Sequence, residues 1–218
     1  MRQAIRLLIA GMLAGAVQAA EPVLTAEQLQ QDLAFMRRTI AEIHPDPGVS
    51  IAPARLEAAL DAAQRQLSAP MERDAAWRVL AKLNPQFADA HLALLQPQRD
   101  KQVQAHLAAG GAFFPYEVRV SPEGQLFIRA ELGGKASRLP GKRIEGIDGV
   151  PASQVVQELL QLVHGDTAAF RTEVLSRRFW FYYWKTYGAP AAYTCGRRAC
   201  SPTSPPVPTG MPRPTSRR

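Results

Sequence analysis

Up to Tyr193 the sequence holds no cysteine, and its only two, Cys195 and Cys200, stand close together near the end. A fold built from the first 193 residues therefore owes nothing to disulfides, whatever the redox state of its compartment. Acidic residues are missing from both ends. Residues 1–19 carry Arg2 and Arg6, residues 194–218 carry Arg197, Arg198, Arg213, Arg217 and Arg218, and neither stretch has an Asp or Glu. Those seven arginines account for the whole formal charge of +7, leaving 19 basic against 19 acidic side chains in between. The pI near 9.8 thus implies no basic face on the folded body, and nucleic acid is not an expected partner.

Long apolar runs are absent after the first 19 residues. The one at the start, Leu7–Val17, follows a short basic stretch and leads to the small residues Val17-Gln-Ala19. It reads as a cleaved signal peptide over 1–19, too short for a comfortable membrane span, and it places the mature protein in the periplasm or outside the cell. Branched aliphatics are nearly absent from the other end: residues 194–218 have six prolines and only Val207. That stretch is expected to be a disordered tail, forming no packed element. Two origins stay open for it, out-of-frame translation of GC-rich DNA and an authentic Pro/Arg-rich tail. A Cys195–Cys200 disulfide after export is compatible with either.

The body between reads as α+β, with a small helical unit over 20–110 and a β/α unit over 111–193. Thr25-Ala-Glu-Gln28 has the spacing of a capping box, and Leu29, Leu33, Met36, Ile40 and Ile43 follow at steps of four and three. His44-Pro45 ends that helix. A second starts near Pro53 with Leu56, Leu60, Ala63 and Leu67 on one face, and a third follows Pro70 with Ala76, Val79, Leu80 and Leu83. After Gly110-Gly111 the period becomes two: Tyr116, Val118 and Val120, a turn at Ser121–Gly124, then Leu126-Phe-Ile128, a β-hairpin.

Gly141–Gly165 is the most informative stretch. Ile144 and Ile147 flank Glu145-Gly146, Asp148-Gly149 supplies a tight turn, Pro151 suits a helix start and Ser153 a cap. Val155, Val156, Leu159, Leu160, Leu162 and Val163 form a broad apolar face, and Gly165 suits a left-handed helix end. The last helix, about Thr167–Tyr187, contains Phe179-Trp-Phe-Tyr-Tyr-Trp184. Six consecutive aromatics surround a helix, so either some face a further domain or they form a local core with the remainder exposed.

The strand–turn–helix resembles the G-x-x-I-x-x-I-[ND]-G-x-P segment of PDZ-like domains, in particular those of the C-terminal-processing (tail-specific) serine peptidase family. Asp32-Leu33, Thr39-Ile40 and His44-Pro45 are similar to that family's opening segment, and Phe87-Ala-Asp89-Ala-His91 to its F-x-D-x-H segment. The resemblance covers residues 25–193. It implies a relative that hydrolyses peptide bonds by acyl transfer through a Ser–Lys pair in a peptidase domain, of which this chain carries only the preceding helical and PDZ-like parts. It also implies peptides or unfolded C-termini as partners, added as a strand beside a groove helix bearing Val155, Leu159 and Leu160, with Gly133-Gly134-Lys135 as the candidate carboxylate loop.

No catalytic residue is assigned. A Ser–Lys pair needs a desolvated lysine, and Lys82, Lys101, Lys135, Lys142 and Lys185 all stand in polar or loop contexts; no serine sits in a glycine-flanked turn. Ser68 and Ser153 read as turn or helix-start residues. Asp89-x-His91 with His44, His106 and His164 lacks metal-ligand spacing, so neither metal nor cofactor is expected and Asp89 and His91 are given a structural role. The overall reading is a truncated, catalytically silent relative of the secreted peptidases. The alternative is a non-catalytic periplasmic PDZ-like peptide-binding or scaffolding module.

Overall fold

Thr25 caps the first helix as its spacing predicts: its hydroxyl accepts from the Gln28 amide at 3.2 Å, and the Gln28 carboxamide accepts from the Thr25 amide at 2.9 Å. In the computed structural model, which describes residues 23–46, 48, 50–189, 193–195 and 198–200, this helix is α1 (Ala26–Ile43). The proposed signal peptide and residues 201–218 lie outside the described residues. Helix α1 stops at His44, which is extended (φ −73, ψ 125) because Pro45 follows. Leu29, Leu33 and Ile40 are buried, but Ile43 is 73% exposed, since the last turn overhangs the helices it packs on.

Helices α2 (Pro53–Gln66) and α3 (Arg73–Ala81) complete the first core, with Leu56, Leu60, Ala63, Leu67, Ala76 and Leu83 inside. Two short strands that the sequence does not announce, β1 (Val23–Leu24) and β2 (Met71–Glu72), pair antiparallel and tie the start of α1 to the start of α3. The turn α4 (Asn84–Phe87) and helix α5 (Arg99–Ala108) follow. Asn84 is buried between them. Its Nδ2 donates to Leu94 O at 3.2 Å and to Leu162 O at 2.8 Å, and its Oδ1 accepts from the Leu94 amide at 2.7 Å.

The second core lies under an antiparallel sheet. Its strands are β3 (Tyr116–Val120), β4 (Leu126–Glu131), β5 (Arg143–Ile147), β6 (Val150–Pro151), β7 (Tyr193–Cys195) and β8 (Arg198–Cys200). The order is β3-β4-β5-β7-β8, with β6 folded back on β5. Tyr116, Val118, Val120, Leu126 and Ile128 point inward, as the alternation predicts. Asp148 and Gly149 both take positive φ (49° and 80°), the backbone a two-residue turn between paired Ile147 and Val150 requires.

Helix α6 (Ala152–Leu160) and helix α7 (Ala168–Tyr187) cover the sheet. Two details differ from expectation. Pro151, not Ser153, is the cap of α6 and no side chain bonds there. Gly165 stands past the helix end, with φ 137°; an added Cβ would lie 2.4 Å from Phe170 Cδ1, so glycine is required by the close approach of α7. The tail also differs at its start. Residues 193–195 form a strand on β5 and residues 198–200 a strand on β7, because ladder pairing uses backbone groups and asks little of composition.

Candidate functional site

The two sequence segments His44-Pro45 and Phe87–His91 meet. Ala88, at φ 49°, turns the chain after α4 so that Asp89 faces the end of α1, and His44 Nε2 lies 3.2 Å from Asp89 Oδ2. The other carboxylate oxygen accepts from the His91 amide at 2.6 Å and stands 3.5 Å from His91 Nδ1. His44 Nδ1 is buried with no partner among the described residues, so the geometry is served by a proton on Nε2 donated to Asp89. The His91 amide bond, opposed by burial and helped by His44, holds the Asp89 carboxyl below the usual range.

The three residues line a cleft of about 550 Å³ with Thr39, Ile43 and Ser50. His91 has its side chain 98% exposed, next to a carboxylate that is mostly enclosed. The His44–Asp89 contact bridges the end of α1 and the segment after α4, and among the described residues no group of three His, Cys, Asp or Glu side chains is placed to hold a metal ion. His106 stands apart, bonded to Ala112 O at 3.0 Å, and His164 lies beside Phe170.

The segments named for peptide capture are placed as follows. Val155 and Leu159 are 1% and 0% exposed in the second core, and Leu160 is half-buried against it. Gly133 and Gly134 make an exposed positive-φ turn closing onto Lys135 at the end of β4, with Glu117 the side chain nearest Gly134. Helix α7 packs on both β3 and α6. The outer edge of β3 therefore meets α7: Ser121 N–H bonds back toward β4 through Gln125 O, and the preceding Val120 N–H points the other way, donating to Ser176 Oγ at 2.9 Å.

The aromatic run finds its partners within the described residues. Phe179 and Tyr183 pack on Phe114, Phe181 and Tyr182 on Trp77 of α3, and Trp180 and Trp184 on Phe113. Trp77 and Ala81 thereby belong to the second core although α3 also serves the first. Lys185 is not in a polar context, as its sequence neighbours suggested. It is 3% exposed, its Nζ pairs with Asp74 Oδ2 at 2.8 Å, and Gln96 Nε2 donates to the other Asp74 oxygen. The lysine is buried as a base would be, yet it is matched with a carboxylate. A partner 111 residues away leaves no local signal in the sequence.

No family model and no curated protein matches the chain. Among solved structures, that of mature CPAF is similar at 19% sequence identity and a TM-score of 0.44, a distant likeness covering 71% of this chain and 28% of the length of that one.

Proposed function

We propose that the chain is the polypeptide-handling part of an exported protein similar to the tail-specific serine peptidases, comprising a helical unit and a PDZ-like unit and carrying no Ser–Lys site. The observation that carries this reading is the 3.2 Å contact of His44 with Asp89. Their two segments resemble the family separately, 45 residues apart, and a shared contact gives both a reason to occur together. Export through residues 1–19 and binding of unfolded C-termini belong to the same reading. The test is to incubate purified residues 20–218 with peptides and with unfolded protein, with and without a serine-reactive phosphonate. Weak binding without phosphonate-sensitive hydrolysis is the expected result; serine-dependent hydrolysis, or no binding of unfolded chains, overturns it.

The second reading, a stand-alone peptide-binding module, is favoured by the way β5 accepts Tyr193–Cys195 as an added strand. A separate extended peptide would use the same backbone groups. A chain ending at Ala192 should then bind an extended peptide that the full chain does not.

A further inference from the structure

The first turn of α5, the middle of α7 and the outer face of α3 enclose a cavity of about 410 Å³, within the size range of small-molecule clefts. It shares no residue with the His44–Asp89 cleft. One wall is aromatic: the Trp77 ring lies 6.1 Å from Tyr182 and 6.3 Å from Phe181. The other is cationic. Arg99, Lys101 and Arg178 line it against a single acid, Asp100, which is bonded to Arg99 Nε at 3.0 Å. Among the described residues neither Lys101 nor Arg178 has an ion-pair partner. Arg178 stands where α7 breaks, at φ −127, ψ 19. Helix α5 begins after Gln98, at φ 53, with no side-chain cap, so its first amides have no side-chain acceptor.

Tyr182 supplies the independent observation. It is 3% exposed, it lines the cavity, and among the described residues its hydroxyl has no hydrogen-bond partner. The hydroxyl is not one of the enclosed polar atoms, so it opens on the cavity. Burial pushes its pKa up while the charges of Arg178 and Arg99, which line the same cavity, oppose the rise.

We propose that this cavity binds a carboxylate carrying a flat or branched apolar body, the charge held by Arg178, Arg99 and the Tyr182 hydroxyl and the body laid against Trp77 and Phe181. Charge-assisted bonds from guanidinium and phenol fix the anion, and the apolar body fills the cavity against Trp77 and Phe181. A bare phosphate would leave that space unfilled. The same chemistry is offered by a free aryl or branched-chain acid and by the C-terminal residue of a polypeptide. The cavity carries this inference alone, independently of the peptidase-like reading.

The test is calorimetric titration of the full chain with N-acetyl-L-phenylalanine and with its amide, then with a pentapeptide ending in phenylalanine as acid and as amide. The acids should saturate, more weakly as salt rises, and the amides should bind about tenfold more weakly. Arg178→Gln and Tyr182→Phe should each weaken the acids by about tenfold and leave the amides unchanged. Tighter binding of the peptide than of the free acid identifies a polypeptide end as the source, and the reverse identifies a small molecule. Equal binding of acid and amide, no saturation by either, or an unaltered affinity in folded Arg178→Gln overturns the proposal.

Discussion

The amide of Val120 donates to the hydroxyl of Ser176 at 2.9 Å, across 56 residues of sequence. This bond closes one backbone group on the outer edge of β3 with a side chain from α7, and Ser176 in turn donates to Thr172 O at 2.8 Å. The amide so paired is not open to a further strand at that position. Ser176→Ala leaves the Val120 amide buried and unpaired, so it should lower stability by about 1–3 kcal/mol, read as a shift in the urea midpoint.

Asn84 should be less replaceable than its polar character suggests. Its side chain satisfies three backbone groups at once, joining the segment before α5 to the end of α6. Asn84→Leu should cost more than about 2 kcal/mol in urea denaturation, because the Leu162 carbonyl and the Leu94 amide lose this partner and the Leu94 carbonyl keeps only Trp77 Nε1.

Gly165 and Gly133 separate two costs of losing a glycine. Both have positive φ, but an added Cβ at Gly165 meets Phe170 at 2.4 Å, whereas nothing lies within 4 Å at Gly133. Gly133→Ala should cost about 1 kcal/mol from backbone strain alone, and Gly165→Ala clearly more, in paired thermal melts.

The Asp74–Lys185 pair predicts a non-additive cycle. Lys185→Met or Asp74→Leu alone strands a buried charge and should destabilise by about 3–5 kcal/mol, while the double substitution should recover much of that loss. Additive losses in the denaturation cycle would contradict the pairing.

Acidification should weaken the fold in two separate windows. Burial, with Arg178 nearby, holds His164 below its ordinary 6.5, so the fold favours the neutral ring and loses stability as pH falls below that value toward the folded pKa. Asp89 is held below its ordinary 3.8, so its contribution is intact above that value and disappears as pH falls through the lower folded pKa. Urea midpoints against pH check both: His164→Gln should flatten the first window and Asp89→Asn the second.

How far the sequence could be read follows from where each partner lies. The Thr25 cap, the Asp148-Gly149 turn and the alternation of β3 are local, and all three are legible without coordinates. Ile43 fits the apolar stripe of α1 but is exposed, because periodicity gives a face and not how far the neighbouring helices extend along it. Trp77 escaped the helical pattern of α3 because that helix serves two cores. The aromatic run reads as surrounding its helix, but Phe113, Phe114 and Trp77, which meet it within the described residues, could not be named as its partners from spacing. The burial of Lys185 depends on Asp74 and Gln96, both remote in sequence.

Of the candidate site, Asp89 and His91 stand out as a short motif, and His44 as a helix stop. Their meeting is a tertiary fact that required the left-handed turn at Ala88. The strands at 193–195 and 198–200 were illegible for a different reason: their pairing uses backbone alone.

The proposed kinship with the tail-specific serine peptidases bears on what the DNA encodes past this sequence. Sequencing the genomic DNA beyond the Tyr193 codon and translating all three phases tests it most directly. The predicted result is a frame encoding a glycine-flanked serine followed by a lysine; stop codons or unrelated sequence in every phase would contradict the claim.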